Sequence, residues 1–397
     1  MNRRQIVKYV DKLLLRLFRN PHVGSLFQRN NIIRNIGFNP ISVQPKVLIC
    51  YLTEPFCEPE DCIIEHPKNF QLLLMVNYFL KSGYVVDVCN YVDVYSILRN
   101  DTEYDIIVGQ GAAYNKAIEK LSHRLSVLFL TENNPETVEV NYNKRLEYFQ
   151  QRHPNVNCNT SVARIGIFNK DTLGRSNAII AFNSKFSADT LTTYCKSIYP
   201  ITVNTIKNNC KSIESSTIVR NKRNFVWLGS VGFIHKGLDI LLDAFRFLPD
   251  CILNVYGVSK TEMKLWYELK GNNTILHPNI DVTSDRFVEE IVKQNTFVIS
   301  TSCSEGIQTG VATCMRSGLI PIVTRDCGYD EHESIFMLDD YHVEYIVERL
   351  CKIISLEDHL LIKMSESARE YSNKKFTNEQ FTIELTCALD KILSKNE

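Results

Sequence analysis

Lys236 stands in a glycine-bearing loop, Gly229–Gly237, between an apolar run and an amphipathic one. A cation there can meet a phosphate while the amino terminus of the following helix supplies N–H donors. Ser230, Gly232 and His235 share the loop. Glu305 stands in a second stretch, Ser302-Cys303-Ser304-Glu305-Gly306, with Gln308, Thr309, Gly310 and Thr313 just beyond. A carboxylate there can accept hydrogen bonds from sugar hydroxyls or stabilise a developing positive charge. Each residue alone has a plainer reading. Lys236 is then a solvated loop lysine, and Glu305 a charge at a helix amino terminus worth about 0.3–1 kcal/mol. Their pairing in one domain favours a site.

Such residues need strands to hold them. Phe225–Gly229 is a short apolar run ending at glycine, which predicts a buried strand feeding a loop. Leu238, Leu241, Leu242, Phe245 and Leu248 then recur at helical spacing. The pattern continues with a strand at Ile252–Gly257, a helix through Met263–Leu269 and a strand near Thr274–His277. A helix through Phe287–Val292, a strand at Phe297–Ser300, a helix near Thr309–Ser317 and a strand at Leu319–Thr324 follow. Strands alternating with short helices imply parallel strands joined by right-handed crossovers, a doubly wound α/β sheet. Ligands of such sheets sit at the carboxyl ends of strands. Ser230/His235/Lys236 and Ser302/Glu305/Gln308 both fall there.

A second α/β domain is expected over about 45–200. Its strands are Val47–Tyr51, Tyr84–Val88, Asp105–Gly111, Ser126–Thr131 and Ala178–Phe182, with a helix from about Phe70 to Ser82 capped by Gly83. The 136–171 segment is polar and partly helical, with Asn143, Arg145 and Arg152. The serine-bearing 204–223 stretch is expected to link the domains. The 357–397 segment reads as helical, with Phe381, Leu385, Leu389, Ile392 and Leu393 on one face. A cleft between two such domains takes a nucleotide-linked substrate on one wall and its partner on the other.

The chain has 397 residues, enough for two domains, and its charges balance, with 45 Lys and Arg against 45 Asp and Glu. That balance gives no argument for nucleic acid. Thirteen cysteines are scattered without a Cys-x-x-Cys pair, and Cys57/Cys62 lacks a matching second pair, so no zinc site is expected. Cys50, Cys89, Cys251 and Cys314 lie in apolar runs as small hydrophobes. No secretory leader is read, so a reducing cytoplasm is expected. No apolar run approaches the roughly 20 residues that span a bilayer. Residues 1–43 hold eight Lys and Arg against Asp11 alone, with Ile6, Val7, Val10, Leu13, Leu14, Leu17 and Phe18 at helical spacing. Such a basic amphipathic helix either lies on an anionic membrane or packs on the protein's own surface.

Gly229–Asp239 with Lys236-Gly237, and Ser304-Glu305-Gly306 followed by Cys314-Met315 and Gly318, resemble the carboxyl-terminal domain of GT-B glycosyltransferases of family 4, the group 1 glycosyl transferases, of bacterial surface-polysaccharide type. The resemblance covers about 45–397 and is strongest over 224–330. It implies two Rossmann-like domains facing a cleft, with the last helix crossing back to the first domain. The boundaries follow as a basic segment 1–43, an acceptor domain 44–203, a nucleotide-sugar domain 204–375 and a crossing helix 376–397.

The resemblance also implies retaining transfer of a sugar from a UDP- or GDP-sugar to a glycan or lipid-linked acceptor, without a metal cofactor. It puts Lys236 on the diphosphate and Glu305 on the donor sugar as the catalytic residue. Ser230, Gly232, His235, Ser304, Gln308, Thr309, Gly310 and Thr313 complete the donor side. Ser230 stands where the family has an arginine, and Thr313 where it has a second glutamate. His235 is then expected to supply charge to the phosphates, and Thr313 to bond a ribose hydroxyl. Acceptor contacts are expected from His66, Gln110 and Glu132. The protein is expected on the cytoplasmic face of the membrane, with peripheral contact through residues 1–43. Two rivals stay open, a nucleotide-sugar epimerase and a non-catalytic GT-B subunit that binds nucleotide sugar.

Overall fold

The computed structural model describes residues 32–40, 43–56, 66–158, 170–182, 185–206, 213–219 and 221–395. The expected basic amphipathic helix and the Cys57/Cys62 pair lie outside the described residues. Among the described residues, thirteen strands form two sheets. The first has seven, in the order β1-β3-β2-β4-β5-β6-β7. These are β1 Ile33–Ile36, β2 Lys46–Tyr51, β3 Val85–Asn90, β4 Tyr104–Gly109, β5 His123–Leu130, β6 Ala178–Phe182 and β7 Ile198–Ile201. The second has six, in the order β10-β9-β8-β11-β12-β13. These are β8 Asn224–Leu228, β9 Ile252–Tyr256, β10 Thr274–His277, β11 Phe297–Ser300, β12 Ile320–Thr324 and β13 Phe336–Leu338.

The chain divides into two compact units. One holds the described residues among 1–64, 68–128 and 175–177, and the other those among 65–67, 129–174 and 178–397. In the first unit β2 pairs parallel with both β3 and β4, through fully buried Val47, Leu48, Ile49 and Cys50. Such continuous apolar runs belong to parallel strands covered on both faces. The helix α1 Pro67–Lys81 precedes β3, and α2 Gly111–Lys120 follows β4. The antiparallel edge strand β1 corrects the view of residues 1–43 as lying outside the domain. Arg34 from β1 reaches Asp87 on β3, with Asn100 and Thr102 as further acceptors.

In the second unit every neighbouring pair of the six-stranded sheet is parallel. Its strand order reverses between β8 and β11, so the crossovers leave the sheet in opposite directions there and open a crevice at the strand ends. The core beneath is aromatic. Phe225 stacks on Phe297 at 5.0 Å between ring centroids and meets Phe245 edge-on at 5.2 Å. The helices are α3 Pro135–Arg152, α4 Leu238–Arg246, α5 Met263–Leu269, α6 Thr309–Arg316, α7 Val343–Ile354, α8 Asp358–Lys375 and α9 Asn378–Ser394. Phe287–Val292 is a π-helical turn rather than the expected α-helix. The linker view of 204–223 is also corrected. Ser215–Val219 is helical, Ile218 and Val219 are buried, and the turn packs against α8. The terminal α9 packs on β6 and β7, with Phe381 edge-on to Phe182.

The α3 helix carries Tyr142, Arg145 and Phe149 at i, i+3 and i+7, and all three are buried. Tyr142 and Phe149 join the core that holds Phe225 and Trp227. At its carboxyl end Arg152 pairs with Asp239 and Asp243 of α4, and His153 Nε2 lies 2.7 Å from Asp243. Removing one partner of a buried ion pair leaves an uncompensated charge, which costs about 3–5 kcal/mol. Arg152→Met keeps the aliphatic stem and strands Asp239, while Asp243 keeps His153 and Arg246, so urea unfolding is expected to report a loss of about 3 kcal/mol. A loss within measurement error would mean that Asp239 finds another partner.

Candidate functional site

The loop after β8 is built backwards from one side chain. The Trp227 ring folds over position 229, where a Cβ would lie 2.1 Å from it, so only glycine fits. Gly232 follows at φ 111°, a left-handed conformation that costs glycine little. A tight turn forms when Lys236 N–H donates to the Gly232 carbonyl at 2.7 Å and Leu238 N–H to the Phe233 carbonyl at 2.9 Å. Gly237, at φ 67°, then starts α4. A Cβ there would meet Thr301 at 2.2 Å, so the turn is seated on the end of β11.

The loop after β11 locks onto this turn. Cys303 N–H donates to the His235 carbonyl at 2.8 Å, and His235 Nε2–H donates to the Ser304 carbonyl at 2.6 Å. Lys236 Nζ is 2.5 Å from Glu305 Oε1, and both side chains are buried. The Ser302 hydroxyl lies 3.2 Å from the same carboxylate oxygen. Glu305 N–H donates to the Asp326 carbonyl, which fixes the loop from its far side. Behind the loop, α6 starts at Thr309, and a Cβ on Gly310 would sit 2.6 Å from the Leu228 carbonyl. The amino terminus of α6 therefore abuts the end of β8.

His235, Lys236, Ser304, Glu305, Gln308 and Thr313 are all buried. Ser230 and Thr309 are exposed, and Gly310 is half-buried. Three buried polar atoms here have no hydrogen-bond partner among the described residues: His235 Nδ1, Ser304 Oγ and Gln308 Oε1. An orphaned buried polar atom costs about 1–3 kcal/mol, so three in two touching loops mark a place where something else can bond.

The expectations for Gly232 and His235 are corrected, and that for Thr313 is narrowed to accepting a hydrogen bond. Gly232 was expected to offer its N–H to phosphate. Instead it donates to Glu262 Oε1 at 2.9 Å, and Phe233 N–H donates to the same oxygen at 2.8 Å. His235 was expected to bring positive charge. Burial pushes its pKa down to about 4, so the ring is neutral at pH 7. Thr313 was expected to bond a ribose hydroxyl. Its own hydroxyl donates to the Thr309 carbonyl at 2.9 Å, which leaves it only acceptor capacity. Lys236 is also not the solvated lysine of the plainer reading.

The acceptor-side candidates come from other elements than the two site loops. Gln110 is buried at the start of α2 in the first unit. His66 is exposed before α1, and Glu132 is half-buried after β5. The bonds that join the two site loops run through other residues. Sequence reasoning missed two groups. Glu262 caps the β8 loop from the start of α5. Arg145 of α3 donates to the Thr301 carbonyl at 2.9 Å, and its guanidinium lies 4.1 Å from the Tyr341 ring centroid. Asn141, one turn earlier, donates to the Cys303 carbonyl at 2.8 Å and to Asp326 at 3.1 Å. The spacing Ser259-x-x-Glu262 was the available signal for Glu262, since it matches a capping box.

His235 gives a pH test. In the unfolded chain it titrates near 6.5, and in the folded chain near 4. Between these values the unfolded state binds the extra proton, so stability falls as pH drops from 6.5 to 4, by about 3 kcal/mol. Above 6.5 the group adds no slope. Urea midpoints measured across this window are expected to flatten in His235→Asn relative to the parent. An unchanged slope would mean that the ring protonates readily in the folded protein.

No family model matches the chain, and no curated protein matches it. Solved structures do. A sucrose-phosphate synthase from Thermosynechococcus elongatus aligns with a TM-score of 0.59 at 11% identity, over 89% of this chain and 100% of that one. Anabaena HepE in complex with UDP and glucose aligns with a TM-score of 0.56 at 13% identity, over 88% and 100%. TarM aligns with a TM-score of 0.51 at 14% identity, over 76% of this chain, which spans 59% of TarM. Identities this low speak to fold alone. Two Rossmann-like parallel sheets and these alignments give one conclusion: the chain has the GT-B fold of glycosyltransferases.

Proposed function

We propose that the protein is a retaining, family-4-like glycosyltransferase of the hexosyltransferase type. It would move a sugar from a UDP- or GDP-sugar to a glycan or lipid-linked acceptor in bacterial surface-polysaccharide synthesis. The observation that carries this is the meeting of the β8 and β11 loops at the strand-order reversal. There a buried lysine and carboxylate touch beside three unpartnered polar atoms.

In the proposed reaction the bond between the anomeric carbon and the phosphate oxygen breaks, and its electrons leave with the nucleoside diphosphate. Lys236 and the amino terminus of α6 hold that charge. The sugar becomes oxocarbenium-like, and Glu305 holds its hydroxyls. The acceptor oxygen adds to the same face, and its proton passes to the departing phosphate oxygen of the nucleoside diphosphate. Ser304 and Gln308 have polar atoms to offer the donor. His66, Gln110 and Glu132 are the proposed acceptor contacts. The proposal uses no resident metal or other cofactor and places the protein in the cytoplasm at the inner membrane face. HepE bound to UDP and glucose shares the fold, which supports a nucleotide-sugar donor without naming it here.

A second reading, a non-catalytic nucleotide-sugar-binding subunit, is favoured by one set of observations. Ser230 and Thr313 lack the family's charges, and His235 is neutral.

The test is a thermal-shift titration of the protein with UDP, GDP, ADP, CDP and their sugar conjugates. A ligand that binds only the folded state raises the midpoint. One nucleotide is expected to shift it, and Lys236→Ala is expected to weaken that binding by about 1.5–3 kcal/mol. No shift with any of them overturns the donor proposal. Turnover of the bound donor, lost in Glu305→Ala, separates the catalytic reading from the second one.

The membrane proposal has its own test. The deletion must spare β1, because Arg34 is tied to Asp87. Removing residues 2–31 is expected to lower binding to phosphatidylserine vesicles while leaving the melting curve intact. Equal vesicle binding would remove that segment from the membrane.

A further inference from the structure

The peptide N–H groups of Gly232 and Phe233 converge on one point at the end of β8, next to the strand-order reversal. Successive N–H groups turned to one side make an anion seat. The seat is filled from inside the protein. Glu262 Oε1 accepts both hydrogen bonds, at 2.9 and 2.8 Å, and its carboxylate is buried. Glu262 Oε2 accepts from the Ser259 hydroxyl at 2.6 Å, and Glu262 N–H donates to the Ser259 carbonyl at 3.0 Å. Both carboxylate oxygens are thus held, and the side chain bridges the loop after β9 to the loop after β8.

The same two peptides do a second job. The Gly232 carbonyl accepts from Lys236 N–H, and the Phe233 carbonyl accepts from Leu238 N–H. Their N–H sides bind Glu262 while their C=O sides build the turn that presents Lys236. A carboxylate that fixes these peptides also fixes the lysine.

We propose that Glu262 is a positioning residue for donor binding. Its carboxylate stands in the anion seat of the β8 loop and sets the turn that aims Lys236, so a donor's diphosphate is held by Lys236 and the α6 amino terminus and not by the loop amides. This rests on the nucleotide-sugar reading given above. Its structural half, a carboxylate that rigidifies the loop, stands independently of that reading.

The experiment uses the full chain and UDP, or GDP if the titration selects it. Glu262→Ala is expected to weaken binding about tenfold or more in calorimetry, whereas Glu262→Gln keeps an acceptor oxygen and stays within about threefold. Added formate fits the vacated seat and is expected to restore most of the affinity of the alanine variant. A role confined to packing would show no such rescue. Two results overturn the proposal: Glu262→Ala binding the nucleotide as tightly as the parent or more tightly, or formate failing to rescue. The first would mean that the phosphate enters the seat once Glu262 leaves it. If Glu262→Ala does not fold, Glu262→Asp keeps the charge and draws the carboxylate back by one methylene. It is expected to bind about tenfold more weakly, and equal affinity overturns the proposal. If the parent binds no nucleotide, the donor reading fails by itself. Hydrogen exchange at the Gly232 and Phe233 amides then decides the rest. Exchange is expected to be slow in the parent, fast in Glu262→Ala and slowed again by formate. Equal rates in parent and variant overturn the proposal.

Discussion

The second unit depends on one buried contact, the ion pair between Lys236 and Glu305. Taking two charges out of water costs several kcal/mol per ion, and their attraction repays this only when geometry is good and further hydrogen bonds form. Those bonds are present. The Ser302 hydroxyl supports the carboxylate, and the two loops exchange backbone and ring hydrogen bonds at His235, Cys303 and Ser304. The loops can meet because the strand order reverses between β8 and β11. The glycines at 229, 237 and 310 follow from the same demand, since a Cβ at each would strike Trp227, Thr301 or Leu228.

Within the same unit α3 reaches the β11 loop, where Arg145 donates to Thr301 and Asn141 to Cys303. Arg145 is an expensive group to bury. Its carbonyl partner on Thr301 and the Tyr341 ring offset part of that cost. It also lowers the pKa of Asp326 and Asp239, two carboxyls whose burial pushes the other way and prevails. The cation thus sits among groups that need it, and together with Asn141 it anchors the β11 loop, Arg145 at Thr301 and Asn141 at Cys303.

The alternating elements over 224–330 were legible because each has a clear period, and β8 through β12 fall where that pattern places them. The edges were not. β1, β7 and β13 have four, four and three residues, and β1 and β7 interrupt their apolar residues with Arg34-Asn35 and Pro200, so no continuous apolar run marks those two. The Ser215–Val219 turn hid behind its serines, although Ile218 and Val219 bury. The two reactive loops were legible as strand-end polar clusters, but their internal bonding was not. Neutral His235 is a consequence of burial, which the residue type does not reveal. Glu262 lies thirty residues from Gly232. Its spacing to Ser259 signals a helix start, and only the fold shows that the start faces the neighbouring strand's loop.

The charge ledger of the crevice bears on how the proposed donor would enter. Ser230 and neutral His235 leave Lys236 as the cation of the β8 loop, and that cation already faces Glu305. A diphosphate therefore competes with Glu305 for Lys236. As it takes the lysine, the carboxylate keeps the Ser302 hydroxyl but loses its cation, in a site where an uncompensated charge is costly. Sugar hydroxyls are then the donors within reach of the role proposed for Glu305. In the proposed reading phosphate capture and sugar capture become one exchange, in which a nucleoside diphosphate without its sugar leaves Glu305 without its cation. Ser230 and Thr313 add no charge to this arrangement. With fewer fixed charges to hold the nucleotide, discrimination for the complete donor falls on the exchange at Lys236 and Glu305.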